Sequence, residues 1–307
     1  MKEDNSQIPR FPHFRPIQIE DRPEIQKRLW RYQPQTSEMT FTNLFIWRSH
    51  YGFQWSICAD WLLILCAPPS SDPYMLPPIG PPSRRQVTRK ALEWIRDAKG
   101  MPKSRIERAD RRLVEEIHEE NSFSIEPIRD QFDYIYRRKD LVELAGRKYH
   151  SKRNHIARLR MSHPFDYVRL HSGNLDACLE LSEFWCELRR CEEDLNLMGE
   201  WEAVRESLTH FQELQIQGGA IVIGGKMKAF TLGEQLNEEM AVVHIEKADP
   251  EIQGLYAVIN QQFCENAWPS ISFVNREQDL GEPGLRQAKL SYYPDYLIEK
   301  FRITLKD

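Results

Sequence analysis

The chain of 307 residues is 41% hydrophobic and 29% charged, with a net charge of −4 at pH 7. This composition describes a soluble globular protein that is long enough for two domains of ordinary size. The longest uninterrupted apolar run, Trp61–Ala67, is much shorter than the roughly twenty residues that cross a bilayer, so we expect no transmembrane segment.

Cysteine usage favours a reducing compartment. The six cysteines are scattered and form no CxxC pair, and the amino-terminal residues lack the apolar core of a signal peptide. These features predict reduced thiols and a cytoplasmic location rather than a disulfide framework. No group of ligands at zinc spacing occurs, so we expect no metal site.

The first half of the chain alternates predicted strands and helices. Phe14–Ile19 predicts a strand, Asp21 caps the following helix, and Phe53–Cys58 with Trp61–Cys66 predicts a hairpin. Further on, a helix, a strand, a helix and a strand are predicted at 84–99, 105–108, 111–120 and 132–136. The proline-rich stretch Pro68–Pro82 predicts a loop at the place where the second half has its central strand.

A basic segment lies at the junction of the halves, on a helix predicted from about 141 to 161. Its core, Arg147–Arg160, contains six Lys and Arg residues, two histidines and no acid. Like charges at i,i+4, such as Lys148 and Lys152, cost a helix roughly 0.2–0.5 kcal/mol per pair, so something local must compensate them. Either acids of the same protein, at 180–194, or the phosphates of an anionic ligand can do so.

The second half repeats the rhythm of the first. A strand at Phe165–His171 precedes two helices, and Gly224-Gly225 predicts a tight hairpin between two strands. Strand, helix, strand, helix and strand are then predicted at 239–247, 250–267, 270–275, 282–290 and 296–303. This order in both halves predicts an α+β fold with mixed β-sheets.

The order of elements resembles the GNAT acyltransferase fold, and its duplication resembles a tandem GNAT protein. Four stretches are also similar to a bacterial family of largely unknown function that is related to the C-terminal domain of phosphatidylglycerol lysyltransferase: Ser37–Tyr51, Lys148–Ile156, Ile252–Phe263 and Val274–Pro294. The resemblance covers about Phe14 to Ile303. It implies GNAT-like domains at 1–140 and 165–307, joined by a basic linker helix at 141–164.

The resemblance also implies acyl transfer, with a choice between two donors. Related tandem GNAT proteins, including the Fem-type peptidyltransferases, use aminoacyl-tRNA, whereas acetyl-CoA enzymes hold a pyrophosphate at a Q/R-x-x-G-x-G/A loop. The matching place here is Glu251–Tyr256, where Glu251 is acidic, Tyr256 is bulky and only Gly254 fits. Gly254 could equally serve close helix packing. We therefore favour aminoacyl-tRNA over acyl-CoA as co-substrate and expect no tightly bound cofactor.

The richest polar stretch is Asn275–Gly281, which follows a predicted buried strand. Acyl transfer needs a base for the nucleophile and a group that stabilises the oxyanion. Glu277 or Asp279 could be the base or the anchor of an ammonium group, and Arg276 or Asn275 could polarise the acyl carbonyl. The alternative is a structural turn in which Asp279 caps the following helix.

Three further residues are weighed as catalytic candidates. His244 and Glu246 share one face of a strand by its period of two, and Glu246, near the strand's end, is the better candidate. A single strand histidine is more often a packed residue. Lys289 lies in a last helical turn, where the helix dipole alone would favour it, and the family resemblance strengthens its candidacy.

The anionic donor is expected to contact the basic helix and the loop after the central strand. The candidate ligand-binding residues are Lys148, His150, Lys152, Arg153, Asn154, Gly254 and Tyr256. The predicted partner is tRNA or another nucleotide-containing acyl donor. An anionic lipid headgroup is less favoured, because the multi-helix membrane domain of the lysyltransferase is lacking.

The leading hypothesis is thus a cytoplasmic acyl- or aminoacyltransferase that moves an acyl group from an activated ester to an amine or hydroxyl. The alternatives are an acyl-CoA-dependent N-acyltransferase and a non-catalytic module that binds phosphate or RNA. An enzyme needs the carboxylates of Asn275–Gly281 to face the ligand, whereas a binding module needs only the basic surface.

Overall fold

The computed structural model describes residues 8–69, 71–98 and 100–306. Two compact units divide the chain: the first runs to Phe132 and takes in the carboxyl-terminal segment from Ile298, and the second is Asp133–Leu297. Among the described helices, none combines the length and apolar character that a bilayer span requires.

The strands of the described residues are β1 (Arg15–Pro16), β2 (Phe53–Cys58), β3 (Trp61–Cys66), β4 (Tyr74–Met75), β5 (Arg105–Ala109), β6 (Phe123–Pro127), β7 (Asp133–Arg137), β8 (Phe165–Arg169), β9 (Gln217–Ile223), β10 (Lys226–Gln235), β11 (Met240–Ala248), β12 (Phe273–Asn275), β13 (Tyr296–Ile298) and β14 (Phe301–Leu305). The helices are α1 (Arg22–Tyr32), α2 (Phe41–Ile46), α3 (Arg48–Tyr51), α4 (Arg85–Ala98), α5 (Arg111–Ile117), α6 (Arg138–Glu143), α7 (His150–Ser162), α8 (Leu175–Arg189), α9 (Leu195–Thr209), α10 (Phe211–Leu214), α11 (Leu255–Asn266) and α12 (Pro283–Leu290).

Each unit is built on one mixed sheet, which confirms the expected α+β class. Within the described residues the strand orders are β1-β2-β3-β4-β5-β14-β6 and, written from its opposite edge, β8-β9-β10-β11-β12-β7-β13. Each sheet contains a parallel pair, β4 with β5 and β11 with β12, beside antiparallel pairs such as β2 with β3 and β9 with β10. The two orders match strand for strand, so the chain contains an internal repeat.

The repeat includes an exchange of strands between the halves of the sequence. β14, the last strand, pairs antiparallel with both β5 and β6 of the first sheet. β7 pairs antiparallel with β12 of the second sheet. The division therefore differs from the expected 1–140, 141–164 and 165–307: β7 and the basic helix lie in the second unit, and β14 lies in the first.

Local sequence signals account for several elements. Gly224 and Gly225 have φ angles of 57° and 76°, and Ile223 pairs with Lys226 across them, as the two-residue hairpin requires. The proline-rich loop contains the short strand β4, which holds the position that β11 has in the second sheet. Tyr149, Ile156 and Leu159 of the basic segment are buried in the same core as the apolar residues of α11.

One expectation about the cysteines is wrong. Cys186, near the end of α8, and Cys191, in the turn that follows, form a disulfide with their Cα atoms 5.1 Å apart. Arg190 has a left-handed φ of 52° and ends α8, and its amide donates to the carbonyls of Cys186 and Glu187 in the last turn of the helix. Among the described residues, Cys58, Cys66, Cys178 and Cys264 are free thiols. Spacing alone does not reveal a bridge that depends on this local turn.

Candidate active site

A β-bulge in the second unit sets the geometry of the polar cluster. Gly233 of β10 pairs with Val243 of β11 and Leu232 pairs with Ile245, so His244 is one extra residue in β11. A bulge interrupts the alternation of side chains. The expectation that His244 and Glu246 share a face is therefore wrong, since the register places Glu246 on the face of Val243.

His244 lies between two carboxylates. Its Nε2 is 2.9 Å from Oε1 of Glu234 on β10, and its Nδ1 is 2.9 Å from Oε1 of Glu277. The His244 side chain is 2% exposed, that of Glu234 9% and that of Glu277 20%. Burial opposes a charged imidazole, but the hydrogen bonds and charges of the two glutamates outweigh it and raise the pKa of His244 to about 9. His244 is thus an imidazolium at neutral pH, and Glu277 is the most exposed of the three.

The backbone holds Glu277 in an uncommon conformation. Its φ is 56°, in the left-handed region that glutamate rarely adopts. The amide of Glu277 donates to Oδ1 of Asn275 at 2.7 Å, and the amide of Tyr134 donates to the Glu277 carbonyl at 3.2 Å. Backbone strain of this kind is often found at functional sites, where the surrounding structure fixes it.

Asn275 has a positioning role in this arrangement. It is fully buried at the end of β12, where its Nδ2 donates to Oδ2 of Asp133 at 3.0 Å while its Oδ1 accepts from the Glu277 amide. Asp133 and Tyr134 belong to β7, the strand that the first half of the sequence contributes. The exchanged strand therefore helps to build the turn that presents Glu277.

Arg276 and Glu246 form a second pair beside this turn. Nη2 of Arg276 is 2.9 Å from Oε1 of Glu246, and Nδ2 of Asn260 on α11 donates to the other Glu246 oxygen at 3.3 Å. The guanidinium lies 4.8 Å from the centre of the Tyr292 ring. Burial disfavours the charge of Arg276, but the Glu246 carboxylate outweighs it and raises the pKa of Arg276. The pair is charged and held from two sides.

Lys289 reaches the same cluster from the inward face of α12. Its Nζ donates to the backbone carbonyl of Arg276, and the residue is 9% exposed. Burial, together with the Arg276 charge, lowers the pKa of Lys289 to about 8, against the opposing pull of Glu277 and Asp133. Such an amine can exchange its proton much nearer neutral pH than an exposed lysine can.

Asp279 is fully buried and anchors the turn. Its two oxygens accept from Nε and Nη2 of Arg286, both at 2.8 Å, from the Tyr134 hydroxyl at 2.5 Å and from the Gly281 amide at 2.9 Å. Burial opposes its charge, but these hydrogen bonds outweigh that effect and hold the pKa of Asp279 well below its usual range. The N-cap of α12 is Glu282, so Asp279 is not the cap that the sequence suggested.

We expect Asp279→Asn to destabilise the protein by about 2–3 kcal/mol, because a neutral amide cannot accept the paired hydrogen bonds of Arg286 and turns a donor toward them. Chemical denaturation gives the change. Asp295→Asn is the matched control: Asp295 pairs with Arg137 at 2.8 Å on the surface, where such pairs contribute about 0–1 kcal/mol. Equal losses in the two variants would contradict the anchoring role of Asp279.

The basic helix α7 divides into inward and outward residues. Lys152 Nζ lies 4.0 Å from the Tyr292 ring centre, and burial, with the Arg276 charge, lowers the pKa of Lys152 against the pull of Glu246. Arg153 donates to the carbonyls of Leu144 and Gly146, which fixes the segment before the helix. Arg153 thereby has backbone acceptors within its own segment, whereas Lys152 faces the polar cluster.

The remaining candidates, Lys148 in the turn before α7 and His150 and Asn154 on α7, are exposed. Lys148 lies 3.6 Å from Asp140, and Nδ2 of Asn154 lies 3.0 Å from Nε2 of His150. Among the described residues, no ion pair joins α7 to the acids of α8, which were one of the two expected sources of compensation. The acid that pairs with Lys148 is instead Asp140 of α6.

The loop before α11 is largely closed by the chain itself. Gly254, the N-cap of α11, has a φ of 91°, and a Cβ there would lie 2.9 Å from the His155 carbonyl of α7. The amide of Glu251 donates to Oδ1 of Asp249 at 3.0 Å, and that of Ile252 donates to the Asp249 carbonyl at 3.2 Å. Gly254 therefore allows close helix packing, and two amides of the loop already have acceptors.

Tyr256 lies at the first turn of α11 and is 40% exposed. Burial, together with the Glu246 charge, raises the pKa of Tyr256 against hydrogen bonds with Ala248 and Trp185. Tyr256 therefore lies close to Glu246 of the polar cluster.

Two cavities of the described residues lie away from the Glu277 cluster. One, of about 530 Å³, lies between α8 and α9 and is lined by Glu183, Glu187 and Trp201 beside the disulfide. The other, of about 620 Å³, belongs to the first unit and is lined by Lys27, Arg31 and Arg84 among others. Neither contains a sequence-predicted site residue, so we base the candidate site on the polar cluster. No group of three or more His, Cys, Asp or Glu side chains in the described residues is arranged to hold a metal ion.

Sequence reasoning missed three members of the cluster. Glu234 lies just beyond the predicted end of its strand, Asp133 lies in the other half of the sequence, and Tyr292 follows a predicted helix. A histidine on one strand and acids on or after neighbouring strands could have indicated the cluster. The sequence does not show which strands are neighbours, so this signal can be read only once the strand order is known. The bulge at His244 has no signature in the sequence.

The fold and this cluster can now be compared with known proteins. The two matching mixed sheets are those of tandem GNAT proteins; FemX, 10% identical, has a TM-score of 0.53 over 94% of this chain and 96% of its own. The L-PGS from Bacillus licheniformis, 12% identical, has a TM-score of 0.64 over 92% of this chain and 91% of its own. A conserved protein of unknown function from Bacteroides thetaiotaomicron is 32% identical, with a TM-score of 0.88 over 95% of this chain and 99% of its own.

The family itself follows from a sequence match. The family described as phosphatidylglycerol lysyltransferase, C-terminal, matches residues 30–304. The chain belongs to this family. A curated protein of Mycoplasmoides gallisepticum is 21% identical over 193 residues, and the match spans 62% of this chain and 59% of that relative.

Proposed function

We propose that the protein is an acyl- or aminoacyltransferase that moves an acyl group from an activated ester to an amine or hydroxyl acceptor. Membership in the family and the tandem GNAT fold support transfer of this general kind. The observation that carries the proposal is the cluster around Glu277, in which a partly exposed carboxylate, a buried imidazolium and a lysine of lowered pKa meet at the end of β12.

The cluster offers the groups that acyl transfer requires. Glu277 binds the ammonium of the acceptor or takes up its proton, with His244 fixing the orientation of the carboxylate. Lys289 exchanges a proton near neutral pH because its pKa is about 8. The Arg276–Glu246 pair keeps a fixed positive group near the turn, where it stabilises developing negative charge.

Aminoacyl-tRNA is the donor that we favour. The outward face of α7 has basic side chains without acids of α8 against them, and phosphates compensate such a face. The similarity to FemX concerns the fold, so it does not support any particular donor for this chain. The donor proposal therefore depends on the basic side chains at α7 and on the poor fit of a pyrophosphate to the loop before α11.

Acetyl-CoA is expected to bind weakly, because Asp249 already accepts from two amides of that loop and the His155 carbonyl packs on Gly254. Isothermal titration calorimetry measures the affinity, and a donor screen follows ester loss from charged tRNA beside thioester loss from acyl-CoA. Micromolar acetyl-CoA binding, together with thioester loss in the screen, would reverse the order of the two donors.

Polyanion binding at α7 and the turn before it should depend on salt and on exposed lysines. We expect Lys148→Ala to weaken tRNA binding and to lower the slope of log K against log salt by roughly 0.7–0.9, which is one phosphate contact. Lys226→Ala, at an exposed lysine of the β9–β10 hairpin, is the matched control and should leave the slope unchanged. Fluorescence titrations at several salt concentrations give both slopes, and an unchanged slope for Lys148→Ala would remove this residue from the donor site.

A further inference from the structure

The first unit contains a cavity whose lining is rich in cations. Its volume is about 620 Å³, which is within the range of small-molecule sites. Among the described residues, five Lys and Arg side chains line this cavity against three carboxylates. The candidate active site in the second unit uses none of these side chains. The cavity is therefore a separate feature with its own charge balance.

Helix α1 contributes a row of charged residues to the cavity. Glu24, Lys27, Arg28 and Arg31 line it at spacings of three and four, which places them on one side of the helix. Arg28 pairs with Glu24 at 2.7 Å. Lys27 and Arg31 are exposed like charges at i,i+4, a spacing that destabilises a helix, and their side chains have no ion pair within the described residues.

The carboxylates of the lining do not offset these two cations. Oε1 of Glu116 on α5 accepts from Nε and Nη2 of Arg84 at 2.8 and 2.6 Å, and its Oε2 accepts from the Arg84 amide at 2.5 Å. Glu24 is engaged by Arg28. Asp60, in the turn between β2 and β3, is the one lining acid that no cation of the described residues pairs with. Two cations and one acid are thus left to face a ligand.

Arg112 adds a fixed positive charge to the lining. Its Nε donates to Oδ2 of Asp110 at 2.9 Å, and its Nη1 donates to the carbonyls of Tyr32 and Gln33 at 3.3 and 3.2 Å. Its Nη2 is covered from solvent and has no hydrogen-bond partner among the described residues. A guanidinium that is held in place but not fully satisfied favours a nearby anion.

The loop before α4 supplies a rigid, apolar part of the lining. The amide of Ile79 donates to the Leu62 carbonyl at 3.0 Å, and the Leu62 amide donates back at 2.8 Å. Nε1 of Trp61 donates to the Pro81 carbonyl at 2.9 Å. Pro81 and Pro82 lack amide donors, so this loop offers a ligand apolar contact rather than hydrogen bonds to an anion.

We propose that the cavity binds a small phosphate monoester, with its phosphate on Lys27 and Arg31 and its organic group against the loop at 79–82. A phosphate monoester carries a charge of about −1.5 to −2 at pH 7 and three acceptor oxygens. The planar fork of Arg31 suits two of these oxygens, and the ammonium of Lys27 suits the third. A single carboxylate would meet only one of the two positive charges.

The arrangement fits a small molecule better than an RNA strand. A strand is bound by successive phosphate contacts along a groove. Here the two cations without an ion pair are one helical turn apart, and apolar residues of the loop line the same cavity. Inorganic phosphate would satisfy Lys27 and Arg31 but would leave the apolar part of the cavity without a partner.

Isothermal titration calorimetry of the full chain tests the proposal. The probes are adenosine monophosphate, glycerol phosphate and ribose phosphate, with inorganic phosphate and adenosine for comparison. We expect at least one monoester to bind more tightly than inorganic phosphate, and Lys27→Ala/Arg31→Ala to weaken its binding about tenfold. Lys103→Ala/Lys306→Ala is the matched control, because it removes two exposed cations from the same unit, and should leave the affinity unchanged.

Two further readouts separate a binding role from a structural one. Asp60→Asn should strengthen monoester binding about threefold, because it removes the remaining repulsive carboxylate. Without ligand, Lys27→Ala/Arg31→Ala should melt no lower than the unaltered chain, since it removes like charges at i,i+4.

Failure of all three monoesters to bind would overturn the proposal, as would inorganic phosphate that binds as tightly as they do. Equal monoester binding by Lys27→Ala/Arg31→Ala and the unaltered chain would also overturn it. Weakened tRNA binding by this variant, with no monoester bound by the unaltered chain, would assign the two cations to RNA instead.

The outcome is independent of the proposed function. Acyl transfer is assigned to the Glu277 cluster of the second unit, whereas Lys27 and Arg31 belong to the first. Lys27→Ala/Arg31→Ala should therefore keep the rate of acyl transfer. Lost monoester binding with retained transfer, or the reverse, separates the two proposals.

Discussion

Glu277→Gln is expected to lower the rate of acyl transfer about 10²–10⁴-fold, the range that a positioned general base contributes. Glutamine keeps the shape of the side chain and its hydrogen bond to His244, but it can neither take up the acceptor's proton nor bind an ammonium by charge. Single-turnover measurement of ester loss from charged tRNA gives the rate, and thermal melting shows that the variant is folded.

Two variants serve as controls for Glu277. Glu265→Gln, at an exposed glutamate on α11, should transfer at the unaltered rate. Glu246→Gln tests the other carboxylate of the cluster, which Arg276 and Asn260 hold in place. Full activity of Glu277→Gln would move the proposed chemistry away from Glu277, and Glu246 would be the next carboxylate to consider.

Stability should fall as pH rises through the titration of His244. The pKa of His244 is raised from 6.5 to about 9 in the folded chain, so its stabilising contribution is fully present below about 6.5 and is lost as pH approaches 9. A shift of this size corresponds to about 3 kcal/mol, the second largest effect that we expect. Chemical denaturation at several pH values measures the free energy of unfolding.

The control for this slope is His244→Gln, which has no titrating group at that position. Lys289 acts in the opposite direction, because its pKa is lowered to about 8 and deprotonation relieves the cost of its burial at higher pH. The difference between the unaltered chain and His244→Gln isolates the histidine. A difference that stays constant from pH 6 to pH 9 would contradict a charged His244 between Glu234 and Glu277.

Local features of the fold could be predicted from the sequence, whereas pairings between distant segments could not. Gly224-Gly225 specifies its hairpin because the turn needs two residues with positive φ. The exchange of β7 and β14 leaves no local trace, since a strand's own sequence does not name its partners and only the partners are unusual here. Chain order therefore predicted the internal repeat, but it did not predict that β7 pairs in the second sheet and β14 in the first.

The candidate site shows the same division. The polar turn at Asn275–Asp279 was evident because it follows a buried strand, but the sequence did not show that Glu277 is partly exposed while Asp279 is fully buried. His244 was given little weight because a single strand histidine is more often a packed residue, and the bulge that sets its position cannot be read from the sequence. The lowered pKa of Lys289 depends on burial beside Arg276, thirteen positions earlier in the chain, which no spacing rule predicts.

The most direct measurement is a single-turnover assay of the purified chain with charged tRNA and a panel of amine and hydroxyl acceptors. The proposed function predicts ester loss from the tRNA with the acyl group appearing on an acceptor, at a rate that falls about 10²–10⁴-fold in Glu277→Gln and is unchanged in Glu265→Gln. No ester loss from any charged tRNA and no thioester loss from acyl-CoA, with tRNA still bound, would contradict it and indicate a binding module.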